Sequence, residues 1–168
     1  MSIRSALPAV AALLAVVAAV LTIGPVASRH ATAGSAGAVT VQRVVDGDTV
    51  VVRAGGRSER VRLIGVDTPE TVDPRKPVQC YGPEASAHTK ERLAPGTRVT
   101  LEPDAEARDK YGRLLAYVYV GGVRYDDELL RLGYARLLII PPNGVHARAM
   151  LRAALDARAA RRGLWGGC

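Results

Sequence analysis

The stretch Val39–Val66, VTVQRVVDGDTVVVRAGGRSERVRLIGV, decides the fold. β-Branched residues recur there in three short runs, Val39–Val45, Thr49–Arg53 and Arg60–Val66. Valine and threonine suit a pleated, half-buried backbone, whereas the intervening Asp-Gly-Asp and Ala-Gly-Gly reverse the chain. The runs therefore predict an antiparallel meander. Further along, Arg98–Glu102 and Leu114–Val120 read as two more strands, with a short one at Val123–Tyr125 after Gly121-Gly122.

Helices enter later. Pro83 in a first turn, with Glu84 beside it, predicts a helix to about Leu93 that Ala94-Pro95-Gly96 stops. Asp126 or Asp127 is placed to cap a second helix, ended by Gly133. Beyond Arg136–Ile140 and Pro141-Pro142, Asn143 or Gly144 opens a third to about Arg162, with Val145, Ala149, Leu151 and Leu155 along its apolar side. Five strands and about three α-helices predict an α+β domain over residues 39–168, built on a five-stranded OB-type β-barrel. Such barrels commonly hold oligonucleotides on one face.

Residues 1–38 stand apart. Arg4 precedes an uncharged apolar run from Ala6 to Ile23, and Ala-x-Ala patterns follow at Ala31–Ala33 and Ala36–Ala38. This predicts a secretory signal peptide or, from the length of the run, an N-terminal membrane anchor, then a linker. Either way the domain faces outside the cytoplasm. The chain carries a formal charge of +7, and this segment holds two arginines and no acid, so the domain stays basic and suits a polyanionic partner. Two cysteines, Cys80 and Cys168, in an oxidising compartment predict one disulfide. His30, His88 and His146 lack the spacing of a zinc site. His88 reads as a surface or packing residue, His146 as structural, and Trp165 as a packing anchor.

Chemistry concentrates in two places. Asp46 and Asp48 flank a glycine, and Asp67-Thr68-Pro69-Glu70 ends the third run, with Arg62 five residues before Asp67 and read on the same strand. Each cluster alone also reads as an ordinary turn. Together they supply what a hard cation and a phosphate need: carboxylates, a carbonyl and a guanidinium. Asp48 and Asp67, with the Thr68 carbonyl, can serve one Ca²⁺, leaving Glu70 free as a general base. The second cluster, Asp109-Lys110-Tyr111-Gly112-Arg113, adds an ammonium, a phenol and a second arginine on one loop. Arg75 and Lys76 suit either a solvated loop or the steering of a nucleic acid backbone. Tyr117 and Tyr119 alternate along a strand and share one face.

Asp-Gly-Asp-Thr, Arg-Leu-Ile-Gly-Val-Asp-Thr-Pro-Glu, Tyr-Gly-Pro-Glu-Ala and Asp-Lys-Tyr-Gly-Arg occur in this order from Asp46 to Arg113. In this the chain resembles the thermonuclease family, the staphylococcal nuclease-like OB fold, over about Val39 to Trp165. The resemblance implies a calcium-dependent phosphodiesterase, a hydrolase acting on ester bonds of DNA or RNA and leaving 3′-phosphate ends. It implies Asp48, Asp67 and Thr68 as Ca²⁺ ligands, with Asp46 near the metal. Glu70 matches the water-activating base, Arg62 and Arg113 the phosphate-binding arginines, and Lys110 and Tyr111 groups near the neighbouring phosphate. A monomer is expected. The alternative is a non-catalytic OB module that binds nucleic acid. One departure stands out: where well-studied members carry base-stacking tyrosines, this chain reads Leu137-Leu138-Ile139-Ile140-Pro141.

Overall fold

The computed structural model describes residues 37–168, and the segment expected as a signal or anchor lies outside them apart from its last two residues. Those two, Gly37 and Ala38, already belong to the first strand, so the domain begins slightly earlier than the composition suggests. Strand β1 (Gly37–Val44) pairs antiparallel with β2 (Thr49–Ala54), and β2 with β3 (Arg57–Leu63). The β2–β3 turn rests on Gly55 and Gly56 at φ 55° and 80°, the two positive values a tight hairpin of this hand requires.

The meander becomes a barrel through its outer strands. β1 also pairs with β5 (Arg98–Glu102), and β5 with β6 (Leu114–Val120). β6 returns to β3 in parallel register, setting Val61 opposite Leu114 and Arg62 opposite Leu115. This closure removes the free edges and seals Val41, Val50, Val52, Val61, Leu63, Val99 and Val118 inside. A short β7 (Val123–Arg124) extends β6.

The expected third strand is in fact two. β3 ends at Leu63, Gly65 turns the chain at φ 79°, and β4 (Gly65–Asp67) pairs instead with β8 (Arg136–Leu138) in a second sheet. Arg62 and Asp67 therefore do not share a strand. Met150 packs against Gly65 so closely that a Cβ there would lie 2.3 Å from its methyl.

Helix α1 (Gly82–Arg92) starts with Pro83 in its first turn, as expected. In α2 (Tyr125–Leu132) the expected caps are misplaced: both aspartates lie inside the first turn and neither caps it by a side-chain hydrogen bond. Asp126 instead accepts from the Val118 amide at 2.8 Å, tying α2 to the barrel. Helix α3 spans Ala147–Ala159, later than expected. Asn143 is diverted to the preceding loop, exchanging hydrogen bonds with the Glu106 main chain at 2.7 and 3.1 Å.

The apolar side expected for the last helix is also wrong. Val145, before the helix, is 67% exposed, and Leu151 and Leu155 are 47% and 54% exposed. The buried face is Met150, Ala154 and Ala157. Its spacing is helical, but its small alanines, which let the helix approach, are a weak hydrophobic signal. A single turn, α4 (Leu164–Gly167), completes the chain, and the expected disulfide joins Cys80 to Cys168 with Cα atoms 6.0 Å apart. Among the described residues no helix is long and apolar enough to cross a membrane.

Candidate active site

Barrel closure assembles the site. Because β3 and β6 run parallel, Arg62 on β3 and Arg113, just before β6, stand on adjoining strands although far apart in sequence. Each is held. Arg62 Nη1 donates to the carbonyls of Leu63 and Val66 at 2.7 and 2.8 Å, and Nη2 lies 3.2 Å from Asp48 Oδ2 and 3.6 Å from Asp67 Oδ1. Arg113 Nε donates to Asp109 Oδ2 at 2.7 Å, while Asp109 Oδ1 accepts the Tyr111 and Arg113 amides at 2.9 Å each. Asp109 therefore builds the turn that aims Arg113, a role the sequence reading did not assign.

Two cavities meet at these arginines. One, of about 240 Å³, is lined by Asp46, Asp48, Asp67, Thr68, Glu70, Lys76 and Gln79 among others. The second, of about 470 Å³, is largely apolar, with Leu63, Ile64, Leu115, Leu138 and Ile140. Lys110, Tyr111, Glu106 and Asn143 complete it. Arg62 and Arg113 line both.

In the carboxylate cavity, Asp48 Oδ2 accepts the Thr68 amide and hydroxyl at 3.0 and 3.1 Å, joining the first acidic turn to the second. Burial, and then the Asp48 charge, push the Asp46 carboxyl up to about 6. The same two causes raise Asp67. Glu70 goes the other way. Its Oε1 accepts the amides of Val72, Thr71 and Asp73 at 2.7, 2.8 and 3.1 Å, which hold its pKa below the usual glutamate value. Its Oε2 takes part in none of these bonds.

These are hard oxygen donors with crowded negative charge, the environment a cation such as Ca²⁺ relieves. Among the described residues no three acidic, histidine or cysteine side chains gather tightly enough to hold an ion alone.

The structure brings all nine sequence-proposed site residues to this pair of cavities, seven to the first and Lys110 and Tyr111 to the second. Lys76 joins the first cavity, whereas Arg75, paired with Asp73, does not line it. Gln79, Glu106 and Asn143 were missed, since no short motif marks them. His88 is a packing residue, stacked on Tyr134 at 4.3 Å and facing Glu128. His146 Nε2 lies 3.0 Å from Glu102. Tyr117 is fully buried and donates to Asp104, Tyr119 donates to Glu102, and neither lines either of these two cavities. Trp165 packs between the Arg136 and Arg158 guanidiniums.

The model of the family described as staphylococcal nuclease homologue matches residues 60–167, well over half of the chain. The chain belongs to this family. Among its relatives is a thermonuclease of Staphylococcus intermedius, 47% identical over 125 residues, which cover 74% of each chain. A thermonuclease of Staphylococcus hyicus is 38% identical over 161 residues, 91% of this chain and 95% of the relative. Endonuclease YncB of Bacillus subtilis (strain 168) is 48% identical over 103 residues, 61% of this chain and 48% of the relative. The staphylococcal nuclease match begins at Arg60, so Asp46, Asp48 and, from β2, Thr49 join the site on geometry.

Proposed function

We propose that this chain is a calcium-dependent endonuclease that hydrolyses phosphodiester bonds of DNA or RNA to 3′-phosphate ends. The observation that carries the reading is the sharing of Arg62 and Arg113 between a carboxylate cavity and an apolar one. That arrangement suits a phosphate bound by two guanidiniums, with its base in the apolar cavity and the attacking water among the carboxylates. The nuclease names of the relatives agree with it.

Asp48, Asp67 and the Thr68 carbonyl would hold Ca²⁺, with Asp46 beside them. A bound Ca²⁺ supplies positive charge and Lewis acidity next to the phosphate. Glu70 is ionised at neutral pH, and its free Oε2 takes a proton from the attacking water. As the water oxygen bonds to phosphorus, the bond to the 5′ oxygen breaks, that oxygen takes a proton from solvent to leave as a 5′-hydroxyl, and the phosphate stays on the 3′ side. Charge grows on the phosphoryl oxygens, where Arg62 and Arg113 stabilise it because they are fixed in advance. Lys110 and Tyr111 engage the neighbouring phosphate.

The site of action in this reading is outside the cytoplasm, with the protein secreted as a monomer or held by its N-terminal segment. The Cys80–Cys168 bond fits an oxidising compartment. Of the two Ala-x-Ala patterns, only Ala31–Ala33 lies ahead of β1 and would leave that strand whole on cleavage.

The test is nicking of plasmid DNA with Ca²⁺ and with chelator, for wild type and Glu70→Gln. Wild type cuts only with Ca²⁺, and the variant binds DNA but turns over about 10²–10⁴ more slowly. Wild-type binding without Ca²⁺-dependent cutting, from neutral to alkaline pH, would leave a nucleic acid binding module instead.

A further inference from the structure

Glu70 stands at the start of an exposed loop, and its main chain is held by one residue at the far end. The Glu70 amide donates to Gln79 Oε1 at 3.0 Å, and the Gln79 amide donates to Glu70 O at 2.9 Å. Between them the loop has few apolar contacts: Val72 and Val78 are 51% and 60% exposed. Arg75 and Lys76 pair with Asp73 of the same loop. The three amides that fix the Glu70 carboxylate, those of Thr71, Val72 and Asp73, all belong to this segment.

Gln79 is followed by Cys80, whose disulfide reaches Cys168, 88 residues on. The partner end is a firm post. Leu164 is buried and its amide donates to Gly133 O at 2.9 Å. Gly167 lies so near Tyr81 that a Cβ on it would stand 3.2 Å from the ring. Tyr81 packs in turn on Tyr134 in a tilted arrangement, their ring centroids 5.6 Å apart.

We infer that the Cys80–Cys168 disulfide is a positioning element for Glu70, holding Gln79 against it and so keeping the carboxylate aimed into the cavity. The inference rests on the reading of Glu70 as the base. A bond that only stapled the C-terminus would affect stability and leave turnover alone. A bond that aims a base affects kcat, because a misplacement of about 1 Å can cost up to about 10²-fold.

The experiment reduces the folded full-length chain with a dithiol, which passes two electrons and two protons to the sulfur pair and closes into its own disulfide. Steady-state cleavage of a short single-stranded DNA with Ca²⁺ is then measured well below the unfolding temperature, together with amide hydrogen exchange. We expect kcat to fall about tenfold, with KM within about twofold. Exchange should quicken at Thr71, Val72 and Asp73 and stay unchanged at Val52 and Val61. A double Cys80→Ser, Cys168→Ser variant should match the reduced protein and ignore the dithiol. Gln79→Ala should lose kcat similarly with the disulfide intact, and reduction should add little further, as for two parts of one device. Full kcat in the reduced protein, with only a lower unfolding midpoint, overturns the inference while the Glu70 reading stands. A Glu70→Gln variant that cuts like wild type sinks both.

Discussion

Arg62 reaches across the bend at Gly65 and donates to the carbonyl of Val66 at 2.8 Å. Two strands of different sheets are thereby joined by the side chain that also faces Asp48 and Asp67. The guanidinium is fixed by its surroundings and has little freedom left to lose on binding phosphate.

That geometry predicts the outcome of Arg62→Lys. An ammonium keeps the charge but cannot donate to two carbonyls while also facing two carboxylates. Steady-state cleavage with Ca²⁺ should show kcat/KM reduced by roughly 10²–10³, the usual cost of losing one preorganised donor. A reduction below threefold would mean that charge alone suffices there.

Gly65 is predicted to tolerate no side chain. Alanine at φ 79° is strained, and its Cβ would collide with the buried Met150. Gly65→Ala should lose about 1–3 kcal/mol, read as a lower urea midpoint at constant slope. An unchanged midpoint would show that β4 can straighten without cost.

The apolar cavity lacks a second aromatic wall. Ile140 lines it and is 61% exposed, and Tyr111, 72% exposed, is its one ring. Ile140→Tyr should tighten binding of single-stranded oligonucleotide by about 1–3 kcal/mol, the value of one base stack. Fluorescence titration checks this, and unchanged affinity would place the base elsewhere.

Asp126 gives a prediction for pH. Burial raises its carboxyl to about 8 in the fold, far above its ordinary value of 3.8. Between those values the native state binds more protons than the unfolded one, so the contribution is most favourable at low pH and is lost as pH rises through about 8. Oδ2 accepts from Val118, whereas the buried Oδ1 has no hydrogen-bond partner among the described residues. Asp126→Asn keeps the acceptor and removes the charge, so its stability should exceed wild type by about 1–3 kcal/mol at pH 8. The advantage should shrink toward pH 5. Unfolding midpoints at both pH values decide it, and parallel curves would refute the shift.

Much of this was legible in the residues. The antiparallel meander as far as Leu63, the two later strands, the start of α1 and the cysteine pair were readable from β-branched runs, turn chemistry and residue count. The acidic and arginine motifs were legible as chemistry because their residue types are rare in such density. The α3 face was not. Its buried side is two alanines and a methionine, whereas its leucines point outward, so a count of apolar bulk selects the wrong side. Gln79 and Asp109 escaped as well, since each acts by holding another residue and carries no motif of its own.

From its order of amino acids alone, this chain specified the main barrel strands, its family and the groups available for phosphate chemistry. Those are short-range matters, governed by side-chain alternation, glycine turns and functional-group identity. The fold decided how the groups converge. Parallel closure of β3 on β6 set Arg62 beside Arg113, the bend at Gly65 turned Asp67 out of the barrel strand, and Gln79 clasped Glu70. Each depends on a hydrogen bond or contact between elements whose spacing is set only when the barrel closes.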